Sequence, residues 1–151
     1  MSTPEAVLFE ELRPHQAAPA QTLGERLWAA AAWVGLVIFD VLMKALTFRR
    51  FHDLVRRFPT LRAKSLQAGS DTVEGICSAV DRAAVFYFKR AWCLQRSALT
   101  TCLLRLRGVP AEMVIGVQKM PFAAHAWVER EGQVLNDLPM VQKRFVVLER
   151  C

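Results

Sequence analysis

The stretch from residue 93 to residue 110 constrains the fold more than any other part of the chain. Apolar residues recur there at steps of four, which places them on one face of a helix: Leu94, Ala98, Cys102 and Leu106. Gly108 and Pro110 end the helical pattern. Cys93 then lies in the first turn, where the positive end of the helix dipole favours a thiolate, the nucleophilic form of cysteine. The sequence therefore offers a candidate cysteine nucleophile.

A buried strand and a β-hairpin are predicted after this helix. Residues 113–117 are short, apolar and rich in β-branched side chains, as is typical of a buried strand. Residues 124–129 and 134–135 flank a turn signal at residues 131–132, Glu-Gly, and this pattern predicts two antiparallel strands. A small antiparallel sheet is therefore expected to follow the cysteine-bearing helix.

The hairpin offers a partner for the cysteine. If the hairpin is centred near residue 131, His125 faces Asp137 across the strands, with Cβ atoms about 4.5–5.5 Å apart. A carboxylate at that distance can hold the imidazole in one tautomer while the other ring nitrogen faces Cys93. A turn shifted by one residue would instead place Asn136 opposite the histidine.

Composition sets wider bounds. The chain has 151 residues, 23% charged and 53% hydrophobic, which describes a globular protein able to bury a core. Its four cysteines form no Cys-x-x-Cys pair and no zinc-type spacing, so we expect no metal and no cofactor. The first residues lack the pattern of a signal peptide, which favours a cytoplasmic protein without disulfides. Cys77 and Cys102 are expected to fill the core.

The N-terminal part is predicted to be helical after a flexible arm. Residues 1–22 hold three prolines and read as that arm, and residues 23–66 form the helical region. The apolar run Leu27 to Phe39 is shorter than the roughly 20 residues that span a membrane, so it predicts a core helix. Membrane contact is the alternative. It would require the helix to extend to Phe48, which reaches spanning length only by including two charged residues.

A basic helix is predicted next. Residues 44–64 carry seven cations against the single acid Asp53, and apolar residues alternate with them at helical spacing up to Pro59. The pattern indicates a solvated basic face over a core stripe, or else a docking face for an acidic peptide or partner protein. No nucleic-acid partner is expected, since no binding motif accompanies the charge.

The remaining elements complete an α+β protein. The segment Ser70-Asp71-Thr72, followed by Glu74, resembles an N-cap with a capping-box partner, and it would start a helix ending near residues 89–90. Residues 144–149 read as a last strand. Helices thus come first, then the cysteine-bearing helix, then the sheet. Residues 67–151 would form the catalytic region, in one domain with residues 23–66.

Several motifs in this order resemble the transglutaminase-like maturation peptidases of lasso-peptide biosynthesis, the microcin-processing protein family. The resemblance is close over roughly residues 70–140 and rests on the following segments: Cys93-Leu94-x-Arg96-Ser97, Leu103-Leu104-x-x-x-Gly108, Val114-Ile115-Gly116-Val117 and Ala124-His125-Ala126-Trp127-Val128-Glu129, followed by Gly132 and Asp137.

The resemblance implies a transglutaminase-like, papain-related fold and a Cys-His-Asp triad that cuts the leader from a ribosomally made precursor. By position, Cys93 would be the nucleophile, His125 the general acid and base, and Asp137 the orienting carboxylate. The residues expected to bind substrate or to support the site are Trp92, Gln95, Arg96, Ser97 and Trp127.

The resemblance also implies partners. Some family members carry an N-terminal leader-recognition domain, and the helical pattern of the first ninety residues predicts that this chain works instead with a separate leader-recognition protein. An ATP-using, asparagine-synthetase-like cyclase would consume the new α-amine. Two alternatives remain open at this point: a transglutaminase-like acyl transferase, and a catalytically silent adaptor in the same maturation complex.

Overall fold

The computed structural model describes residues 23–61 and 70–151. The predicted arm at residues 1–22 and the predicted boundary between residues 66 and 67 lie outside the described residues. The elements, in chain order, are α1 (Leu23–Ala45), α2 (Phe48–Arg57), α3 (Ser70–Val85), α4 (Cys93–Leu106), β1 (Glu112–Gln118), β2 (Ala123–Arg130), β3 (Gln133–Val134), α5 (Val141–Arg144) and β4 (Val146–Arg150). This order confirms the predicted α+β class.

The four strands form one antiparallel sheet in the order β3-β2-β1-β4. The turn between β2 and β3 lies at the predicted residues, since Glu131 and Gly132 have φ angles of 52° and 80°. Two successive left-handed residues match the right-handed twist of the flanking strands. Only two residue pairs follow in the β2–β3 ladder, which makes β3 much shorter than β2.

Helix α4 forms the centre of the molecule, because it packs on the other helices and on the sheet. One apolar cluster joins it to α1 and α3 through Leu36, Val80 and Leu99. A second cluster joins it to α2 and β1 through Phe51 and Met113. The cysteine-bearing helix is thus fixed from both sides.

Arg105 of α4 is buried and ties the end of α2 to the start of the sheet. Its guanidinium donates hydrogen bonds to the carbonyl oxygens of Val55 (2.6 Å), Phe58 (3.3 Å) and Ala111 (2.8 Å). A cation near the C-terminal end of a helix suits the helix dipole. The buried contacts give Arg105 a second role, because it satisfies carbonyls that would otherwise lack partners.

Helix α1 confirms the predicted core helix along one face only. Ala32, Leu36 and Asp40 are buried, and the Asp40 carboxylate forms ion pairs with Lys44 and Lys89. The hydrogen bond from Lys89 holds the pKa of Asp40 below its usual value. The opposite face is apolar and exposed, with side chains between 52% and 63% accessible at Leu27, Val34, Ile38 and Val41. By length and composition alone, α1 is also long and apolar enough to cross a membrane.

Two predicted boundaries were wrong. Helix α3 ends at Val85 rather than near residues 89–90, because Tyr87 turns inward and its hydroxyl donates to the Leu36 carbonyl (3.4 Å). The last strand begins at Val146, two residues later than predicted, since Arg144 belongs to α5. The pairing of this strand extends to Cys151, whose backbone exchanges both hydrogen bonds with Met113.

Helix α2 confirms the predicted basic helix. Phe51 and Val55 are buried while the arginines of this helix lie exposed, and Arg56 pairs with Asp53 at 3.0 Å. The predicted stripe is narrower than expected, because Phe48 and Leu54 are exposed. The basic residues at positions 62 and 64 lie outside the described residues.

Candidate active site

Cys93 is the first residue of α4, as predicted. Trp92 precedes the helix in an extended conformation, with φ −72° and ψ 150°, and provides no side-chain cap. The first intrahelical bond runs from the Arg96 N–H to the Trp92 carbonyl (3.0 Å). The backbone N–H groups of the first turn therefore point out of the helix beside a partly exposed thiol.

His125 and Asp137 are in contact. The Nε2 atom of His125 donates to Oδ2 of Asp137 at 2.6 Å, and both side chains are about three-quarters buried, with exposures of 26% and 28%. The other carboxylate oxygen accepts the Leu138 N–H at 2.7 Å. Since Nε2 is engaged, Nδ1 is the ring nitrogen left for proton exchange with a thiol.

The reason given for this contact by the sequence pattern was wrong. The ladder pairs Glu129 with Val134 and then ends, and its register would place residue 138 rather than Asp137 opposite His125. The chain bends away after β3, and this bend carries Asp137 to the histidine. The contact is therefore made by a loop instead of by opposed strand residues.

The three predicted triad residues line one small cavity of about 120 Å³. The complete lining is Cys93, Arg96, Ser97, His125, Ala126, Asn136 and Asp137. A nucleophilic thiol, an imidazole and a carboxylate thus converge from α4, β2 and the loop after β3. This is the set of groups that acyl-transfer chemistry through a thioester requires.

The predicted supporting residues fall into different places. Ser97 and Arg96 both line the cavity; Ser97 is only 1% exposed, and Arg96 forms an ion pair with Asp81. Trp92 is 60% exposed beside the cysteine, where a substrate can reach it. Gln95 is fully buried and donates to the Leu36 carbonyl of α1 (2.6 Å), so it supports α4 and does not face substrate.

The imidazole rests on two aromatic rings. The Trp127 ring, fully buried, lies nearly parallel to the His125 ring, with centroids 6.2 Å apart and an angle of 22°. The Phe145 ring lies closer, at 5.3 Å and 33°. Sequence reasoning placed Trp127 at the site but missed Phe145, since no local signal links a residue before β4 to a histidine on β2.

Gly116 allows Trp127 to lie where it does. This residue of β1 is paired directly with His125 in the sheet. A Cβ atom at position 116 would lie 2.8 Å from Cη2 of Trp127 and 3.0 Å from Cβ of Phe145. Contacts this short are repulsive, so the strand needs a residue without a side chain at this point.

Glu129 is a buried carboxylate that holds the Trp127 ring in place. It accepts hydrogen bonds from Trp127 (2.7 Å), Gln142 (2.9 Å) and Arg150 (2.6 Å). Burial alone would raise the pKa of Glu129, but these hydrogen bonds outweigh it and hold the pKa below its usual value. The network fixes Trp127 and joins β2 to α5 and β4.

The other cysteines differ from Cys93 in their environment. Burial raises the pKa of Cys77 to about 11, that of Cys102 to about 12 and that of Cys151 to about 11. These thiols are poor nucleophiles near neutral pH, because the thiolate is the reactive form. Within residues 23–61 and 70–151, no group of three or more His, Cys, Asp or Glu side chains is arranged to hold a metal ion.

Comparison with known proteins agrees with this architecture. A family model described as the transglutaminase-like superfamily matches residues 34–150. The microcin J25-processing protein McjB of Escherichia coli is 41% identical over 56 residues, which is 37% of this chain and 27% of McjB. The chain thus matches about a quarter of the length of that curated relative, and no solved structure matches it.

The two matches differ in what they establish. The partial identity with McjB confirms the resemblance to microcin-processing proteins. The family model extends over most of the chain and includes all three cavity-lining residues of the predicted triad. The chain therefore belongs to the transglutaminase-like superfamily.

Proposed function

We propose that this chain is a cysteine peptidase that removes the leader from a lasso-peptide precursor. The observation that carries the proposal is the single cavity lined by Cys93, His125 and Asp137, with the last two joined at 2.6 Å. The similarity to McjB, a protein named for processing microcin J25, supports the substrate class.

The proposed reaction has two acyl-transfer steps. His125 takes the Cys93 proton, the thiolate attacks the carbonyl carbon at the leader–core junction, and the imidazolium then protonates the leaving amine of the core peptide. The leader remains as a thioester on Cys93. Water activated by the same imidazole attacks this thioester, releases the leader carboxylate and restores the thiol. Asp137 holds the ring and stabilises its charged form.

The oxyanion of each tetrahedral intermediate needs hydrogen-bond donors. The backbone N–H groups in the first turn of α4 lie next to the Cys93 sulfur and lack intrahelical acceptors. We assign them this role, since donors at a helix N-terminus stabilise developing negative charge. Gln95 does not donate to the oxyanion, because its side-chain amide is buried against α1.

The surroundings of the cavity suit a peptide substrate. A groove of about 850 Å³ runs between α3 and the β2–β3 hairpin. Its lining includes Asp81 and Leu135, which adjoin the cavity residues Arg96 and Asn136. Exposed apolar side chains flank the triad residues along the chain, and they are Trp92, Phe122, Leu138 and Met140. We propose that the groove binds an extended segment of the substrate beside the cut.

We propose that a separate leader-recognition protein presents the precursor. The exposed apolar face of α1 supports a docking role for the helical region, because an uninterrupted apolar face of this length is rare on a monomer. The arginines of α2 could add contacts to an acidic partner. We expect V34E/I38E to reduce partner-dependent cleavage, while L148E, which alters an apolar side chain exposed on β4, should not.

The core peptide released with a free α-amine would be the substrate of an ATP-using, asparagine-synthetase-like cyclase. We propose a cytoplasmic location, where thiols remain reduced.

The decisive experiment mixes the purified chain with a leader-containing precursor and its recognition protein, and follows the products by mass spectrometry. Wild type should make one cut at the leader–core junction and C93A should make none. C102A, which removes a buried thiol from the same helix, should cleave like wild type. Full processing by C93A would favour an adaptor role, and full-rate cleavage without the recognition protein would exclude dependence on that partner.

Acyl transfer to an amine is the second candidate function. The superfamily match favours it, since transglutaminase-like proteins can pass an acyl group to an amine instead of water. The same assay with a competing primary amine separates the two. A leader amide as the main product would indicate transfer, and a free leader carboxylate would indicate hydrolysis.

A further inference from the structure

The loop after β3 must leave the sheet for Asp137 to reach His125. In the β2–β3 register, continued pairing would place residue 137 opposite Ala126, on the other face of the sheet from His125. The last regular backbone bond runs from the Leu135 N–H to the Val128 carbonyl (2.9 Å). Something other than strand pairing must therefore fix the position of the next residues.

Asn136 supplies that constraint with its side chain. Its Oδ1 atom accepts the Val128 N–H at 2.7 Å, so the amide takes the place of a backbone acceptor in the missing ladder. Its Nδ2 atom donates to the Ser97 hydroxyl oxygen at 3.2 Å. The residue that directly precedes Asp137 is thus bound to β2 and to α4 at once.

Ser97 completes the link to the nucleophile. It lies four residues after Cys93, one turn further along the same face of α4. Its buried hydroxyl donates to the Ala126 carbonyl at 2.9 Å, and Ala126 directly follows His125 on β2. One hydroxyl and one amide therefore connect the three segments that carry Cys93, His125 and Asp137.

We propose that Ser97 and Asn136 form a hydrogen-bonded pair that positions Asp137 and His125 relative to Cys93. Both act through other residues and neither is assigned a step in the reaction. The kinetic test of this inference rests on the proposed peptidase function. A second test uses no peptide, so it can fail or succeed independently of that function.

The kinetic test compares S97A, N136D and the double variant with wild type. N136D keeps an acceptor for the Val128 N–H and loses the donor to Ser97, but it adds a negative charge beside Asp137, so S97A, which adds no charge, carries the comparison. We expect kcat to fall about 10- to 100-fold in each single variant, as for other residues that orient a reacting group, with little change in KM. The double variant should be no worse than the poorer single, because the pair acts as a unit.

A matched control separates positioning from general stability. Asp40 also joins two segments through its side chain, because its buried carboxylate pairs with Lys44 of α1 and with Lys89 after α3, and it does not line the cavity. D40N should lower the urea midpoint while kcat stays within about twofold of wild type. Equal losses of kcat in D40N and S97A, at equal stability, would overturn the positioning role.

The second test measures the rate at which iodoacetamide alkylates Cys93, across the pH range in which histidine titrates. A misplaced imidazole takes up the thiol proton less readily, so S97A and N136D should be alkylated more slowly than wild type at neutral pH. Unchanged alkylation profiles would overturn the inference. If wild type cut no precursor but these profiles still shifted, the proposed function would fail and the positioning pair would stand.

Discussion

Replacement of Gly116 by alanine tests the closest packing around the candidate site. The new Cβ would lie 2.8 Å and 2.9 Å from two atoms of the Trp127 ring and 3.0 Å from Cβ of Phe145. The Phe145 Cβ is fixed to the backbone and the Trp127 ring is fully buried, so neither can move freely. Overpacking of this kind costs about 1–3 kcal/mol.

Gly75→Ala provides a control of the opposite sign. Gly75 lies within α3, and an added Cβ would meet nothing within 4 Å. Alanine in place of glycine inside a helix stabilises by about 0.5–1 kcal/mol. The two substitutions add the same methyl group, and only the surroundings decide the sign.

Thermal unfolding and kinetics would both be measured. For a domain of this size, each kcal/mol corresponds to roughly 2–4 °C in Tm, so G116A should melt below wild type and G75A slightly above it. Because Trp127 supports the His125 ring, G116A should also lower kcat more than it raises KM. A G116A protein with the Tm and kcat of wild type would refute the close approach of Trp127 to β1.

Three more outcomes are expected. Asp137→Asn should lower kcat by roughly 10⁴-fold with little change in KM, as expected when a triad histidine loses its orienting carboxylate, and an unchanged kcat would remove Asp137 from the triad. The depressed pKa of Glu129 should add stability above its unfolded pKa of about 4.3, and this contribution is lost as the pH falls through the folded value. Urea titrations at several pH values should therefore show that the free energy of unfolding falls less steeply with decreasing pH for E129Q than for wild type. In the native protein, a short iodoacetamide treatment should modify Cys93 alone, and intact-mass analysis that found several thiols modified would contradict the burial of the other three cysteines.

Local sequence signals predicted the elements that carry the candidate site. The periodicity from Leu94 to Leu106 and the glycine at position 108 predicted α4, and the cysteine at its first residue follows from the same pattern. The Glu131-Gly132 signal predicted the hairpin turn, since few residue pairs accept two left-handed conformations in succession. These features depend on neighbours within a few residues, which is why they can be predicted from sequence.

Contacts between distant segments had to come from the tertiary structure. Asp137 reaches His125 through a bend that the Asn136 amide stabilises, and strand periodicity alone predicted a different route. Gln95 points into α1, because helix packing decides which side of α4 is buried. Phe145, from the last part of the chain, places its ring beside the imidazole.

The N-terminal helix shows the same division. The apolar run Leu27 to Phe39 predicted a core helix, since composition acts within the segment itself, and α1 extends it at both ends, to Leu23 and Ala45. Only the packing of α3 and α4 decided that Leu36 is buried while Val34 and Ile38 remain exposed. The sequence thus determined the candidate nucleophile and the elements around it. The tertiary structure decided which side chains meet, because those contacts join residues that no local interaction connects.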